Sequence, residues 1–334
     1  MEQFRPKRRF RIGDNGIRLI AFALILGVFA IINPTVLSLV NICSILNNAA
    51  FIGIMTMGLM VVMITGNLDL SLVSIGLISA YSTIMLYMSL GVTAGGTYLM
   101  FAIAGAIGLL CGLVNGFLVY KFSVPGIIVS LGTAQIYNTL MIVLCGVSYI
   151  QTLPAGMRAF SRKFVLEIPT ALGNATISMG AVMFLASILL VWFVLNKTMV
   201  GRGIYALGGD KVAAARAGFN MPLVYGTAYG IMGVLCGIAG MMYYANNTLF
   251  QSDWILAEQA DATAGAIFGG VILKDGKGSV GGVVLGIFLI GLIRNNLYLI
   301  GVPSYAQKLV VGVIILASVA LASLNQLKEA RKLR

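Results

Sequence analysis

Carboxylate and hydroxyl side chains occur at two points where the sequence is otherwise strongly apolar. Asp69 and Ser71 follow the segment Thr-Gly-Asn-Leu at residues 65–68, and Asp261 opens the run Asp-Ala-Thr-Ala-Gly. Glycine and asparagine favour a break in a helix, and backbone freed at membrane depth must line water or be buried in protein. Asn67, Asp69, Ser71 and Asp261 are therefore candidates for a solute pathway. Alternatively, Asp69 caps a turn on the cytoplasmic side.

Six amide side chains lie within other apolar segments, where polar groups are costly. An amide both donates and accepts hydrogen bonds, so a set of amides can bind uncharged, hydroxyl-rich solutes such as sugars. Structural hydrogen bonds between helices are the alternative for any single one of them. The candidates are Asn47, Asn48, Gln135, Asn138, Asn295 and Asn296.

Catalytic and metal-binding chemistry has little support in the sequence. The chain contains no histidine, so a His-based catalytic triad and a His-containing zinc site are not available. Fragments of a phosphate-binding loop at residues 276–279 lack the upstream glycine at the required spacing. We expect neither an enzyme nor a bound cofactor. The cysteines form no CxxC pair and are expected to act as small apolar residues: Cys43, Cys111, Cys145 and Cys236.

The composition indicates a membrane protein. Hydrophobic residues make up 59% of the chain and charged residues only 10%, whereas soluble domains carry about 25% charged residues. A helix crosses the bilayer with about 20 apolar residues. We therefore predict an all-α, polytopic membrane helix bundle with about ten transmembrane helices. The predicted spans are 17–36, 45–64, 71–90, 97–120, 125–146, 175–196, 222–244, 256–273, 279–297 and 305–323.

The placement of Lys and Arg predicts the orientation of the chain. With the N-terminus inside, seventeen basic residues fall on the cytoplasmic side and five fall outside or near outer helix ends. Basic residues concentrate in cytoplasmic loops, so both termini are predicted to be cytoplasmic. The same distribution explains the net charge of +12 without a nucleic-acid partner. The predicted organisation is a basic tail at 1–16, a membrane domain at 17–323 and a second basic tail at 324–334.

Glycines recur at four-residue spacing in three predicted spans. Small residues let helix backbones approach closely in lipid, so these repeats predict tight helix contacts. The contacts lie either in the core of the bundle or at a seam between subunits. The repeats are Gly108-Gly112-Gly116, Gly226-Gly230, Gly233-Gly237 and Gly282-Gly286.

Residues 201–222 form a polar, glycine-rich loop between two predicted spans, on the predicted cytoplasmic side. Asp210 can cap a short, Ala-rich helix from Lys211 to Ala217, and Gly218 can end it in a left-handed conformation. A helix with a small-residue face around Ala214 suits docking into a groove of another protein. The alternative is a solvated connector that is helical.

The same loop resembles a segment of a known family. Its pattern G-R-x-I-Y-A-L-G-G-(D/N)-x-x-A-A-x-x-x-G resembles the cytoplasmic coupling loop of ABC-transporter permeases for ribose and related sugars. In that family the loop carries the short helix that sits in the ATPase subunit. The resemblance implies a coupling loop at 201–221, with coupling residues Gly201, Arg202, Tyr205, Gly208, Gly209, Asp210, Ala213, Ala214 and Gly218.

Three further segments resemble motifs of this family, in the family's order. Residues 65–74 resemble S-G-G-I-D-L-S-V-G-S, and residues 124–133 resemble V-P-A-F-I-V-T-L-G-T. The segment that begins at Asp261 resembles the later part of E-x-D-A-I-A-A-V-V-L-G-G. Together the matching blocks extend over almost the whole chain, from about residue 33 to about residue 321.

This resemblance implies the permease subunit of an ATP-binding-cassette importer for a sugar or sugar-like solute in the bacterial inner membrane. Its implied partners are a second permease subunit, identical or related, and a cytoplasmic ATPase that binds the ATP and Mg. A periplasmic binding protein would deliver the solute near the longest external loop, 147–174. The alternative is a stand-alone secondary transporter that uses an ion gradient through Asp69 or Asp261.

Overall fold

The computed structural model describes residues 14–91, 96–145, 154–161, 163–247, 258–273, 275–303, 306–307 and 309–313. A 3-10 turn, Pro34–Leu37, follows the first helix, and a two-stranded sheet, β1 (Phe164–Thr170) and β2 (Gly173–Ser178), separates the sixth helix from the seventh. The main helices are α1 (Asp14–Ile32), α2 (Leu39–Ile64), α3 (Leu72–Ser89), α4 (Thr97–Phe122), α5 (Gly126–Cys145), α6 (Ala155–Ser161), α7 (Met179–Lys197), α8 (Met199–Gly209), α9 (Lys211–Arg216), α10 (Met221–Asn246), α11 (Gln259–Phe268) and α12 (Val280–Leu299).

The described residues contain seven helices that are long and apolar enough to cross a membrane, namely α2, α3, α4, α5, α7, α10 and α12. They coincide with seven of the predicted spans, which confirms a polytopic helical membrane protein. Within α1, the apolar helix Phe22–Ile32 is shorter than a crossing. Of the tenth predicted span, 305–323, only residues 306–307 and 309–313 are described, and they are helical. The basic tails lie outside the described residues except for 14–16.

The prediction of an eighth span at 256–273 is wrong. The helix found there, α11, has 10 residues, so at 1.5 Å per residue it covers about 15 Å, roughly half of a bilayer core. The chain then turns at Gly269 and Gly270, and Ile272 pairs with Lys277 before α12 begins. α11 is therefore a half-length helix that packs against α12 and α2.

The fold is not purely α-helical, contrary to the prediction. β1 and β2 form an antiparallel hairpin in which Phe164 pairs with Ser178, and Gly173 begins β2 with a φ of 120°. Sequence analysis placed these residues partly in the external loop 147–174 and partly in the span 175–196. The hairpin was missed because its strands are short and run directly into the apolar segment that forms α7.

The central helix of the bundle is α2. Helices α3, α7, α10, α11 and α12 pack around it, and nearly every side chain from Ala49 to Ile64 is buried. A helix that is apolar on all sides is stable only where other helices or lipid surround it, and here other helices do.

The contact between α4 and α10 is built on the predicted glycine repeats. Gly108 and Gly112 of α4 face Gly233 and Gly237 of α10, and a Cβ on any of the four would meet a backbone carbonyl of the opposite helix. These repeats therefore lie in the core of the bundle. In lipid, apolar burial does not favour contact with another helix over contact with lipid. Small residues instead favour association because they let the two backbones approach closely.

The two ends of α2 mark the two ends of the molecule. Near its start, Asn47 accepts a hydrogen bond from the N–H of Ser178 at 2.9 Å, which ties α2 to the hairpin. At its other end, the Ile64 carbonyl lies against Gly208 of α8. Both points lie on α2 (Leu39–Ile64), and the helix between Asn47 and Ile64 separates them by about 26 Å. We call them the hairpin end and the α8 end.

Candidate functional site

At the α8 end, residues 199–209 form a helix, although they were predicted to belong to a polar loop. Thr198 caps α8 by accepting a hydrogen bond from the N–H of Gly201 at 3.0 Å. Ile204 and Leu207 face the bundle and are buried. The sequence prediction failed because the glycines in this segment lower its intrinsic helix propensity, whereas packing against the bundle stabilises the helix.

The glycines and the tyrosine of α8 hold it against two other elements. A Cβ on Gly208 would overlap the carbonyl oxygen of Ile64 in α2 and come within 2.7 Å of the Gly276 Cα in the turn between α11 and α12. The Tyr205 hydroxyl donates a hydrogen bond to the Gly278 carbonyl in the same turn at 3.0 Å. Burial raises the pKa of Tyr205, which keeps this donor protonated. Helix α8 is thus fixed to both neighbours.

The short helix predicted after Asp210 is confirmed as α9. The Asp210 Oδ1 accepts hydrogen bonds from the N–H groups of Val212 at 2.8 Å and Ala213 at 2.9 Å. Gly218 follows the helix with a φ of 83°, in the left-handed region. At the side of α9, the Lys211 ammonium donates to Ser123 Oγ at 3.3 Å, which links α9 to the end of α4.

The outward face of α9 differs from the predicted one. Ala214 packs against its own chain and is only 3% exposed. It therefore holds α9 in place and does not belong to an outward face. Three of the other predicted coupling residues pack inward, namely Gly201, Tyr205 and Gly208. The exposed residues between 201 and 220 are Arg202, Gly209, Asp210, Lys211, Val212, Ala213, Ala215, Arg216, Ala217, Gly218 and Asn220.

The predicted break between the second and third spans is present, and it contains a buried carboxylate. Asp69 Oδ1 accepts hydrogen bonds from the N–H and the hydroxyl of Ser71 at 2.7 and 2.6 Å, and Oδ2 accepts one from Asn115 Nδ2 at 3.0 Å. Tyr137 donates to Asn115 Oδ1 at 3.0 Å. These partners are neutral, and they tie the break to α4 and α5 at the α8 end.

Three other predicted pathway residues lie near α5. Asn67 Oδ1 accepts a hydrogen bond from the N–H of Gly126 at the start of α5, at 3.1 Å. Further along α5, Gln135 is exposed, and the buried Asn138 Oδ1 has no hydrogen-bond partner within the described part of the chain. The structure does not bring these residues together with the amides of α2 and α12.

At the hairpin end, an open cavity of about 840 Å³ lies between α2, α10, α11 and α12. It extends along α2 from Ser38 to Ile52, which is roughly 20 Å of helix. Its volume is within the roughly 300–1,000 Å³ typical of small-molecule sites. Its polar and aromatic lining includes Asn41, Ser44, Asn47, Asn48, Phe51, Tyr243, Asn246, Asn247, Glu258, Arg294, Asn295 and Tyr298.

One wall of this cavity is a network of amides. Asn295 Nδ2 donates to Asn41 Oδ1 at 2.6 Å, and Asn295 Oδ1 accepts from Asn48 Nδ2 at 3.0 Å. Behind them, the fully buried Asn296 accepts from Asn41 Nδ2 at 3.2 Å. Asn47 also lines the cavity, and its Nδ2 donates to the Thr176 carbonyl at 2.8 Å. Four predicted amides therefore converge here, together with Asn41, which sequence analysis did not identify.

Glu258 and Arg294 also line the cavity, and together with Asp261 they form an ion cluster. Arg294 Nη1 donates to Glu258 Oε2 and to Asp261 Oδ2, both at 2.6 Å, and Arg294 Nη2 donates to Glu258 Oε1 at 3.3 Å. Asp261 was predicted as a pathway residue, whereas Glu258 and Arg294 were not. A charged residue within the apolar sequence of α12 is a signal that points to Arg294. In the described part of the chain, no three His, Cys, Asp or Glu side chains gather to hold a metal ion.

Fold and site together define a class: a multi-pass helical membrane protein with a polar cavity at one end and a capped helical projection at the other. A family model described as "Branched-chain amino acid transport system / permease component" matches residues 41–319, and the chain belongs to that family. It is therefore a transport permease of the inner membrane.

Curated relatives carry more specific names. The chain is 30% identical over 296 residues to the ribose import permease protein RbsC of Bacillus subtilis (strain 168), covering 88% of each chain. It is 31% identical over 330 residues to the galactose/methyl galactoside import permease protein MglC of Escherichia coli (strain K12), covering 96% of each. The autoinducer 2 import system permease protein LsrC of Yersinia pestis (strain Pestoides F) is 27% identical over 302 residues, 90% of this chain and 82% of LsrC. No solved structure matches the chain.

Proposed function

We propose that this chain is the membrane-spanning permease subunit of an ATP-binding-cassette importer for a sugar or a sugar-like solute. The named relatives import ribose, galactose or autoinducer 2. The observation that carries the proposal is the way in which α8 and α9 are attached to the bundle. Glycine contacts and the Tyr205 hydrogen bond hold α8 on α2 and on the turn before α12, while one side of α9 stays exposed.

The exposed side of α9 is the proposed docking surface for a separate ATPase subunit that binds ATP and Mg. Small side chains at Ala213 and Ala215 allow close approach of a groove, and Arg216 adds a positive charge at the rim. Because α8 contacts α2 and the α11–α12 turn directly, a displacement of α9 by the ATPase reaches both elements. The rest of the bundle then moves as packed helices, which shift between discrete arrangements.

The cavity at the hairpin end is the proposed entry of the solute pathway. Its amide wall offers donors and acceptors that match sugar hydroxyls, and the predicted orientation places it on the outer side of the membrane. There a periplasmic binding protein would release the sugar. A second permease subunit, identical or related, would complete the pathway, since α5 presents an extensive exposed apolar surface on which Gln135 lies.

Co-purification tests this proposal. The tagged chain, expressed with its native neighbours and isolated in mild detergent, should bring down an ATPase subunit. Ala215→Glu adds an unpaired charge to the exposed side of α9, so it should abolish retention of the ATPase while the chain keeps its normal membrane level. Ala171→Glu, the same change at an exposed site in the hairpin, is the matched control and should retain it. Isolation of the chain without an ATPase would instead favour the secondary-transporter alternative.

A further inference from the structure

We propose that Asn48 orients the solute in the cavity by accepting a hydrogen bond from one solute hydroxyl at its Oδ1, and that Asn41 is the positioning residue that fixes this polarity. The inference names a specificity-determining residue at the proposed pathway entry and therefore rests on the proposed function. It is carried by the direction of the hydrogen bonds in the amide wall, by the acceptor that they leave free and by the exposure of Asn48.

A backbone carbonyl sets the direction of the amide network. The carbonyl of Val36, in the 3-10 turn before α2, accepts a hydrogen bond from Asn41 Nδ2 at 2.8 Å. A carbonyl oxygen can only accept, so the NH₂ group of Asn41 must point toward it and Asn41 Oδ1 must point away. Both residues are buried, where an unpaired polar group is costly. The second N–H of Asn41 donates to Asn296 Oδ1 at 3.2 Å, so the NH₂ group is fully used.

Each further amide takes its orientation from the previous one. Asn41 Oδ1 accepts from Asn295 Nδ2 at 2.6 Å, so Asn295 Oδ1 faces Asn48, whose Nδ2 donates to it at 3.0 Å. Turning Asn295 or Asn48 round would bring two oxygens together. The series therefore ends in the cavity at Asn48 Oδ1. Of the four amide oxygens in the network, it is the one that accepts no hydrogen bond within the described part of the chain.

This free oxygen is accessible, and the network strengthens it as an acceptor. Asn48 is exposed and lines the cavity. An amide that donates through its N–H becomes a better acceptor at its oxygen, and successive hydrogen bonds in a series reinforce one another in this way. The donors of Asn48, Asn295 and Asn41 all point along the series and away from Asn48 Oδ1. The group that fits at Asn48 Oδ1 is therefore a donor, which a sugar hydroxyl supplies and a fluorine in its place does not.

Protection of a cavity cysteine by solutes tests this assignment in the purified full chain. The four native cysteines are replaced by alanine, and Ser44→Cys adds one cysteine to the cavity. Ribose and galactose should slow its modification by a neutral methanethiosulfonate. The half-protecting concentration of each sugar is compared with those of its analogues in which one hydroxyl is replaced by fluorine. At one hydroxyl position, the analogue should require about a fivefold higher concentration, as expected for the loss of one neutral hydrogen bond.

The penalty at that hydroxyl position should depend on Asn48. In Asn48→Leu, which has a similar volume and no acceptor, the sugar and this analogue should protect at the same concentration. Asn246→Leu is the matched control, because Asn246 is another exposed amide that lines the cavity. In the control, the difference of about fivefold should remain.

Asn41→Leu tests the origin of the polarity. Without the Asn41 amide, the side chains of Asn295 and Asn48 can turn round, and Asn48 can present its NH₂ group to the solute instead. The ratio between analogue and sugar should then fall below about twofold. If Asn41 only held the helices together, both half-protecting concentrations would shift and their ratio would stay the same. Asn295→Leu breaks the series at the next, less buried link and should have the same effect on the ratio if Asn41→Leu fails to fold.

Three results would overturn the proposal: protection by neither sugar, equal protection by each sugar and all of its fluorinated analogues, or a penalty that persists in Asn48→Leu. None of these measurements needs an ATPase or a binding protein. A chain that brings down no ATPase would contradict the proposed function and leave the protection ratios as expected. Ratios that do not depend on Asn48 would leave the co-purification result intact, so the two failures are distinguishable.

Discussion

At the scale of single residues, Asp69 shows how a buried carboxyl group is held by neutral hydrogen-bond donors. Its oxygens accept hydrogen bonds from Ser71 and Asn115, and the chain of contacts continues to Tyr137. The geometry supports the alternative in which Asp69 holds the break between α2 and α3 in place. Its position at the α8 end separates it from the amides at the hairpin end.

Asp69→Asn should lower the melting temperature of the detergent-purified chain. The change turns the acceptor Oδ2 into an NH₂ group that faces the Asn115 NH₂ group, and a buried unpaired donor costs about 1–3 kcal/mol. Adding Asn115→Asp exchanges donor and acceptor across the same pair but removes the hydrogen bond from Asn115 Nδ2 to Ser71 Oγ at 2.8 Å, so the double variant should regain part of the loss. An Asp69→Asn chain that melts normally but does not transport would assign Asp69 to the pathway instead.

Arg294 shows why part of the site was not predicted. The sequence marks it as a charge near the end of an apolar helix, but its partners Glu258 and Asp261 precede it by more than thirty residues. Their meeting depends on the half-length of α11, which brings its first turn beside α12. Asn41 joins the amide network through contacts of the same long-range kind.

At the scale of elements, α8 owes its position to glycines, and two neighbouring glycines provide a matched pair. Gly208→Ala places a methyl group against the Ile64 carbonyl and the Gly276 backbone, while a Cβ on Gly209 meets nothing within 4 Å. Overpacking of a tight contact costs about 1–3 kcal/mol. Gly208→Ala should therefore lower the melting temperature and weaken substrate-stimulated ATP hydrolysis.

Gly209→Ala should leave both quantities unchanged or slightly raised, since alanine is the better helix former. Thermal unfolding in detergent and ATPase assays of the reconstituted complex give the two readouts. Equal behaviour of the two variants would contradict the contact between α8 and the end of α2.

The elements differ in how far the sequence determines them. α9 was predicted to within a residue because its signals are local: an aspartate cap, three alanines and a glycine in the left-handed region. The seven long helices followed from apolar length alone. By contrast, α8, the β1–β2 hairpin and the shortness of α11 depend on what each segment packs against, which local composition does not specify.

At the scale of the whole molecule, the structure places a polar cavity and an exposed capped helix at opposite ends of the central helix α2. Glu258, Arg294 and the amides line the cavity, and α8, held in place by its glycine contacts, positions the exposed helix. This arrangement suits a permease that takes up a solute at one face of the membrane and is moved by ATP binding to its partner at the other face. The central claim is that ATP, and not an ion gradient, drives its transport.

Uptake under separated energy sources tests that claim most directly. The solute is a labelled pentose or hexose, ribose and galactose first, whose uptake is lost when the gene for this chain is deleted. In cells depleted of ATP but holding an imposed ion gradient, uptake should fall to the level of the deletion strain. In cells with ATP but with the gradient collapsed by an ionophore, it should persist. Uptake that continues without ATP and stops when the gradient collapses would contradict the account.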